Sequence, residues 1–127
     1  MLTVHRAFSG FSVDDLDAAE NFYRDVLGLT VRRNPMGLEL DVTGGSAVFV
    51  YPKGDAHEPA SFTVLNLEVP DVAAAAADLA ERGAELLRYP GFPHDDDGIV
   101  RSTDPAEGPT IAWFADPAGN VLSLLEA

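Results

Sequence analysis

Two stretches of this chain follow one plan, and a chain that repeats a supersecondary unit has few ways to fold. The first, FSGFSVDDLDAAENFYRDVLGL, runs from Phe8 to Leu29; the second, VLNLEVPDVAAAAADLAERGAEL, begins at Val64. In the first copy, alternating residues up to Val13 give way to Asp14-Asp15, then to Leu16, Ala19, Phe22, Tyr23, Val26 and Leu27 at helical spacing. Gly28 follows, where a helix end takes a residue that tolerates positive φ. In the second copy, Val69-Pro70-Asp71 precede Val72, Ala76, Leu79 and Ala80, and Gly83 closes the helix after Arg82. A shift of about 56 positions lays Val13 on Val69, Asp15 on Asp71 and Leu16 on Val72. Function is therefore expected where two similar halves face each other.

Composition sets the outer bounds. With 127 residues, 46% of them hydrophobic, the chain is long enough for one substantial core and too short for two ordinary domains. No apolar run approaches a bilayer span, which predicts no membrane partner. The N-terminus, MLTVHRAFSG, lacks the uninterrupted apolar segment of a secretory signal, so the expected compartment is the cytoplasm. The absence of cysteine removes disulfides, thiolate metal sites and Cys nucleophiles. A formal charge of −13 argues against nucleic acid, whose phosphates it would repel, and suits either cationic small molecules or solubility alone.

In chain order, His5 to Val13 is the first strand, with Phe11 and Val13 on the face that the helix should cover and Phe8, Gly10 and Ser12 on the other. Leu29 to Arg33 and Leu38 to Val42 read as strands about a turn at Asn34-Pro35 and Gly37, and Thr43-Gly-Gly-Ser46 as a loop into a strand from Ala47 to Tyr51. Pro52 to Pro59 is the expected connector, its His57 solvated. The first module thus covers about residues 1–55 and the second about 60–127, within a single domain. The second repeats the plan: Ala60 to Val69 a strand, Val72 to Arg82 a helix, Ala84 to Tyr89 a strand. A long excursion from Pro90 to Pro109 carries a short strand around Ile99 to Arg101. Thr110 to Ala115 and Val121 to Leu125 then pair across the turn Asp116-Pro-Ala-Gly-Asn120.

Val13-Asp-Asp-Leu16, Asn21-Phe-Tyr23, Leu27-Gly-Leu29, Val69-Pro-Asp-Val72 and Ile111-Ala-Trp-Phe-Ala-Asp-Pro-Ala-Gly-Asn120, in that order, make the chain resemble the vicinal oxygen chelate superfamily. That group includes glyoxalases, extradiol dioxygenases, fosfomycin resistance enzymes and bleomycin resistance proteins. The resemblance covers nearly the whole chain. It implies an α+β fold of two βαβββ modules whose curved mixed sheets enclose a cleft, as a homodimer.

The metal-dependent members hold a divalent ion with His or Glu on the cleft face. Carried over by count, those positions fall on Phe8, on Val64 in the second module, on or next to Val50, and on Ser123. Such an ion needs imidazole or carboxylate donors at about 2.0–2.2 Å, which Phe and Val cannot supply. His5 lies an odd number of residues from Phe8 and points away from the cleft in a regular strand. His94 with Asp95, Asp96 and Asp97 is the one His-carboxylate cluster, but it lacks the oxygen alternation and distal Glu of a calcium loop. Ser46 follows two glycines without forming a nucleophile elbow, and no phosphate-binding glycine loop occurs. The expectation is no metal and no cofactor.

The same parity drafts the lining of the cleft. Phe8, Gly10 and Ser12 share a face, as do Val64, Asn66 and Glu68; Val48, Val50 and Ser123 join them, with Trp113 or Phe114 from the seventh strand. This is an apolar wall with a few polar groups, as in small-molecule pockets. Glu68 is expected to meet Arg101, to reach water at the strand end, or to await a cationic ligand. The expected function is metal-independent binding of a small molecule, resembling the bleomycin resistance branch, whose members sequester a basic amphipathic antibiotic. Two alternatives stand beside it: a glyoxalase-type lyase, isomerase or dioxygenase with displaced metal ligands, and a regulatory or partner-binding subunit with no ligand.

Overall fold

The computed structural model describes residues 1–126. The chain divides at Pro59 into two units, Met1–Pro59 and Ala60 onward. Each is a strand, a helix and three further strands, with one face of a four-stranded mixed sheet packed on its helix.

In the first unit, β1 (Ser9–Val13) buries Phe11 and Val13. Asp15 caps the helix that follows, its carboxylate accepting the backbone N–H groups of Asp17 at 3.0 Å and Ala18 at 3.2 Å. Helix α1 (Leu16–Asn21) then widens into a π-helical turn over Phe22–Val26, where the Leu27 N–H reaches back five residues to the Phe22 carbonyl at 3.1 Å. The sequence pattern predicts one uniform helix here, and packing explains the difference. Adjacent residues of an α-helix point about 100° apart, and a wider turn narrows that angle. Phe22 and Tyr23 are both buried, with ring centres 5.3 Å apart and nearly perpendicular, and Phe11 lies 6.0 Å from Tyr23.

Strands β2 (Thr30–Asn34), β3 (Gly37–Asp41) and β4 (Val48–Pro52) complete the sheet in the order β1-β4-β3-β2, with β1 parallel to β4 and the other pairs antiparallel. Asn34 builds the β2–β3 turn by accepting the N–H groups of Met36 and Gly37 at 2.9 and 3.0 Å. Gly37 is required there, because a Cβ would run into the Val50 carbonyl oxygen. Register fixes the two faces. Phe11 pairs with Val50, Leu38 with Val50, and Leu40 with both Val48 and Val31. These residues therefore share the face that packs on the helix, while Gly10, Ser12, Arg32, Glu39, Phe49 and Tyr51 share the open one.

The second unit repeats this order as β5-β8-β7-β6, with β5 (Thr63–Val69), α2 (Val72–Glu81), β6 (Glu85–Leu87), β7 (Ile111–Ala115) and β8 (Val121–Glu126). Its outer parallel pair is β5 with β8. Asp71 caps α2 through the Ala74 N–H at 3.1 Å, and the Glu126 carboxylate accepts the Val72 N–H at 3.0 Å. Val72, Ala76 and Leu79 are buried on α2, and Ala112, Phe114, Leu122 and Leu124 are buried on the sheet. The turn after β7 is bound by Asp116, which accepts the N–H groups of Ala118 and Asn120 at 3.0 and 2.8 Å. The strand expected around Ile99 to Arg101 is reduced to bridges from Val100 to His94 and to Ile111. Side-chain bonds hold that segment instead: Asp95 accepts the N–H groups of Asp97 and Ile99, both at 2.9 Å. No helix among the described residues is long and apolar enough to cross a membrane.

Candidate functional site

The open face of the first sheet carries a groove of about 400 Å³. Arg6 and Phe8 from the segment before β1, Asn34, Pro35 and Met36 from the β2–β3 turn, Glu39 from β3, and Ala47, Val48 and Phe49 line it. Phe8 and Met36 are 53% and 72% exposed, large apolar surfaces left to solvent. The Arg6 guanidinium sits 4.6 Å over the Phe8 ring. Phe49 stacks on Tyr51 with ring centres 5.7 Å apart. Beside Tyr51, the Ser12 hydroxyl lies 2.8 Å from Nδ1 of His57, so His57 is bonded and partly buried where the sequence reading expects it solvated.

Two expected members of this lining point elsewhere. Val50 is fully buried against the helix face, and Val48 is buried on the same side, touching the groove only where β4 begins. Phe49 and Tyr51 stand on the open face in their place. A signal for this lies in LELD, residues 38–41: its charged Glu39 alternates with leucines, and antiparallel pairing with VFVY puts the valines on the leucine side.

On the second sheet, Asn66, Glu68, Ser123 and Trp113 share the open face. The Ser123 hydroxyl donates to Asn66 Oδ1 at 2.6 Å, which satisfies a fully buried polar side chain. Phe114 pairs with Leu122, is fully buried, and belongs to the helix face, so Trp113 is the open-face aromatic. Val64 falls in a register shift between Thr63 and Leu65. Arg101 does not meet Glu68, because its Nε donates to Asp95 at 3.0 Å. Glu68 is exposed, beside Val69, Pro70 and Glu126 at the end of β5.

Around Trp113 stand Tyr89, expected to end a strand that in fact stops at Leu87, and two residues that the sequence reading leaves in a loop. Tyr89 and Phe92 each lie 5.3 Å from it edge-on, and His94 lies 6.0 Å away. Both His94 nitrogens are committed: Nε2 accepts the Tyr89 N–H at 2.9 Å, and Nδ1 donates to the Gly98 carbonyl at 2.7 Å. Arg88 clasps the same loop through the carbonyls of Asp95 and Asp96 at 3.0 and 2.8 Å. The Asp95 carboxyl is held below its ordinary pKa, first by the Ile99 N–H and then by Arg101 and the Asp97 N–H. His94 and the Asp95 carboxylate of this cluster are thus spent on bonds within the loop.

The residues at the family's metal positions do not fit a divalent ion. Phe8 is an exposed hydrocarbon, Val50 faces the helix, Val64 lies at the register shift, and the Ser123 hydroxyl is spent on Asn66. Among the described residues, no three His, Asp or Glu side chains are grouped to hold a metal.

Two strand-helix-strand modules with matching strand order, each keeping one face open, define an α+β protein of paired βαβββ modules. The chain belongs to the Glyoxalase/Bleomycin resistance protein/Dioxygenase superfamily, whose family model matches residues 4–124. Solved structures share this fold. TnmS3, an antibiotic binding protein from Streptomyces sp. CB03234, is 24% identical with a TM-score of 0.67, over 99% of this chain and 98% of that one. A superfamily member from Sphaerobacter thermophilus DSM 20745 is 23% identical with a TM-score of 0.70, over the full length of both chains. UcmS2 is 18% identical with a TM-score of 0.72, over 99% of this chain and 100% of that one. Among curated proteins, none matches at a significant level.

Proposed function

We propose that this protein binds an amphipathic small molecule on the open faces of its sheets, without a metal and without chemistry, as a cytoplasmic homodimer. The observation that carries this reading is the groove of about 400 Å³ in the first unit, with Phe8, Met36 and Phe49 beside Glu39 and Arg6. Small-molecule pockets pair apolar walls with a few placed polar groups in this way. Trp113 offers a second aromatic surface, and Glu68 a carboxylate on the same open face, two strands away and two residue pairs along. The charge of −13 raises the local concentration of cations and favours a ligand with a basic group. That the similar TnmS3 is an antibiotic binding protein supports an antibiotic as one ligand class, and sequestration as the resulting activity.

Thermal shift against a panel of cationic amphipathic antibiotics and metabolites tests the reading. A ligand at a hundredfold over its Kd stabilises the fold by roughly 2.7 kcal/mol. Stabilisation that survives EDTA is the expected result. Near-stoichiometric zinc, nickel, iron or manganese in protein purified without chelators would contradict it.

A further inference from the structure

Glu39 leaves half of its bonding capacity unused. Its side chain is 30% exposed in the groove lining, and both of its neighbours reach the same oxygen, Oε1: Arg6 Nη2 at 3.5 Å and Arg32 Nη2 at 3.4 Å. Charge-assisted hydrogen bonds are about 2.7–2.9 Å long, so neither contact is a strong one. Arg32 is committed elsewhere, gripping both Asp41 oxygens at 2.8 and 3.1 Å. Oε2 has no partner among the described residues.

Arg6 is the looser of the two cations. Its side chain is 60% exposed, and its guanidinium carbon lies 4.6 Å from the centre of the Phe8 ring. A cation over an aromatic face and beside a carboxylate, all within one groove, is the arrangement that recognises a guanidinium or ammonium ligand.

We propose that Arg6 is an internal stand-in for the ligand's cation: Phe8 and Glu39 form a receptor for an amidinium, guanidinium or ammonium group, and the ligand binds by displacing Arg6. This rests on the reading that the groove is a ligand site and adds the ligand's charge and the competition. An anion fits worse, because any group approaching Arg6 also meets Glu39 and, two residue pairs further along the sheet, Asp41. With Arg6 displaced, the Glu39 carboxylate is free to make the short bond that Arg6 does not make.

The test uses the full chain and three flat probes of one shape: benzamidine, neutral benzamide and anionic benzoate, titrated by calorimetry or NMR. Benzamidine is expected to bind the native protein in preference to benzamide. It should bind Arg6→Gln roughly fivefold to tenfold more tightly, the weight of one exposed ion pair and one cation–π contact. Glu39→Gln should abolish the preference for benzamidine over benzamide. Unchanged or weaker benzamidine binding by Arg6→Gln would overturn the proposal, since a groove-lining residue that is no competitor behaves that way. Tighter binding of benzoate than of benzamidine would also overturn it and make Arg6 the receptor. Equal binding of benzamide and benzamidine would overturn it while leaving the small-molecule reading in place. Failure of all three probes and of the antibiotic panel removes both.

Discussion

Val50→Ala and Phe49→Ala, adjacent substitutions on β4, should have opposite signatures. Val50 is fully buried, at 0% exposure, and pairs with both Phe11 and Leu38. Removing two methyl groups forfeits about 1.6 kcal/mol of transfer free energy at about 0.8 kcal/mol per carbon, and the cavity left behind raises the cost to about 2–3 kcal/mol. For a domain of this size that lowers Tm by roughly 6–15 °C. Phe49 lies partly exposed on the open face and packs on Tyr51 at 5.7 Å. Its truncation forfeits an aromatic contact worth about 0.5–1.5 kcal/mol and should weaken ligand binding instead. Urea unfolding followed by circular dichroism measures the first effect, and titration with a panel ligand measures the second. If Phe49→Ala is the more destabilising of the two, the register assigned to β4 is wrong and the groove with it.

Other outcomes follow from single positions. Gly37→Ala should lower stability by more than about 1 kcal/mol, because its Cβ meets the Val50 carbonyl and β3 must separate from β4; a neutral result in denaturant unfolding would refute the close approach. Asp116→Ala orphans the buried N–H groups of Ala118 and Asn120 and should cost roughly 2–4 kcal/mol by the same assay, with Asp116→Asn milder. Because the folded Asp95 carboxyl is held below its ordinary pKa, its stabilising effect is present above the unfolded value of about 3.9 and is lost as pH falls through the lower folded value. The loop around Trp113 should therefore keep its native tryptophan fluorescence at pH 5 and lose it only in stronger acid. Asp95→Asn should loosen that loop at neutral pH, and an unchanged spectrum would refute its anchoring role.

The repeat, both aspartate caps and the hairpin turns were legible because local chemistry decides them. Asp15 and Asp71 must satisfy helix N–H groups whatever the rest of the chain does, and Asn34 and Asp116 build their turns from their own neighbours. The faces of β1 and β3 were legible from alternation. The face of β4 was not, because Val48-Phe-Val-Tyr51 is apolar throughout, and only pairing with Leu38 and Leu40 decides which residues are covered. The π turn was hidden because Phe22 and Tyr23 also fit a helical stripe, and the need to bury both rings at once is a tertiary demand. The bonds of His57 to Ser12 and of His94 to Tyr89 and Gly98 were equally out of reach, since a histidine in a polar loop carries no mark of its partner. The pairing of Arg101 with Asp95, six residues away, removed it from Glu68 by a contact that charge alone would permit either way.

The central claim is that hydrocarbon and aromatic surface, with a few carboxylates, takes the ligand where metal-dependent relatives would place an ion. Isothermal calorimetry of the full chain reads binding wherever on the open faces the ligand sits. Titrating a cationic amphipathic ligand into the protein, first treated with EDTA and then loaded with zinc, nickel, iron or manganese, should give one and the same Kd. Binding that appears only after a metal is loaded would contradict the account.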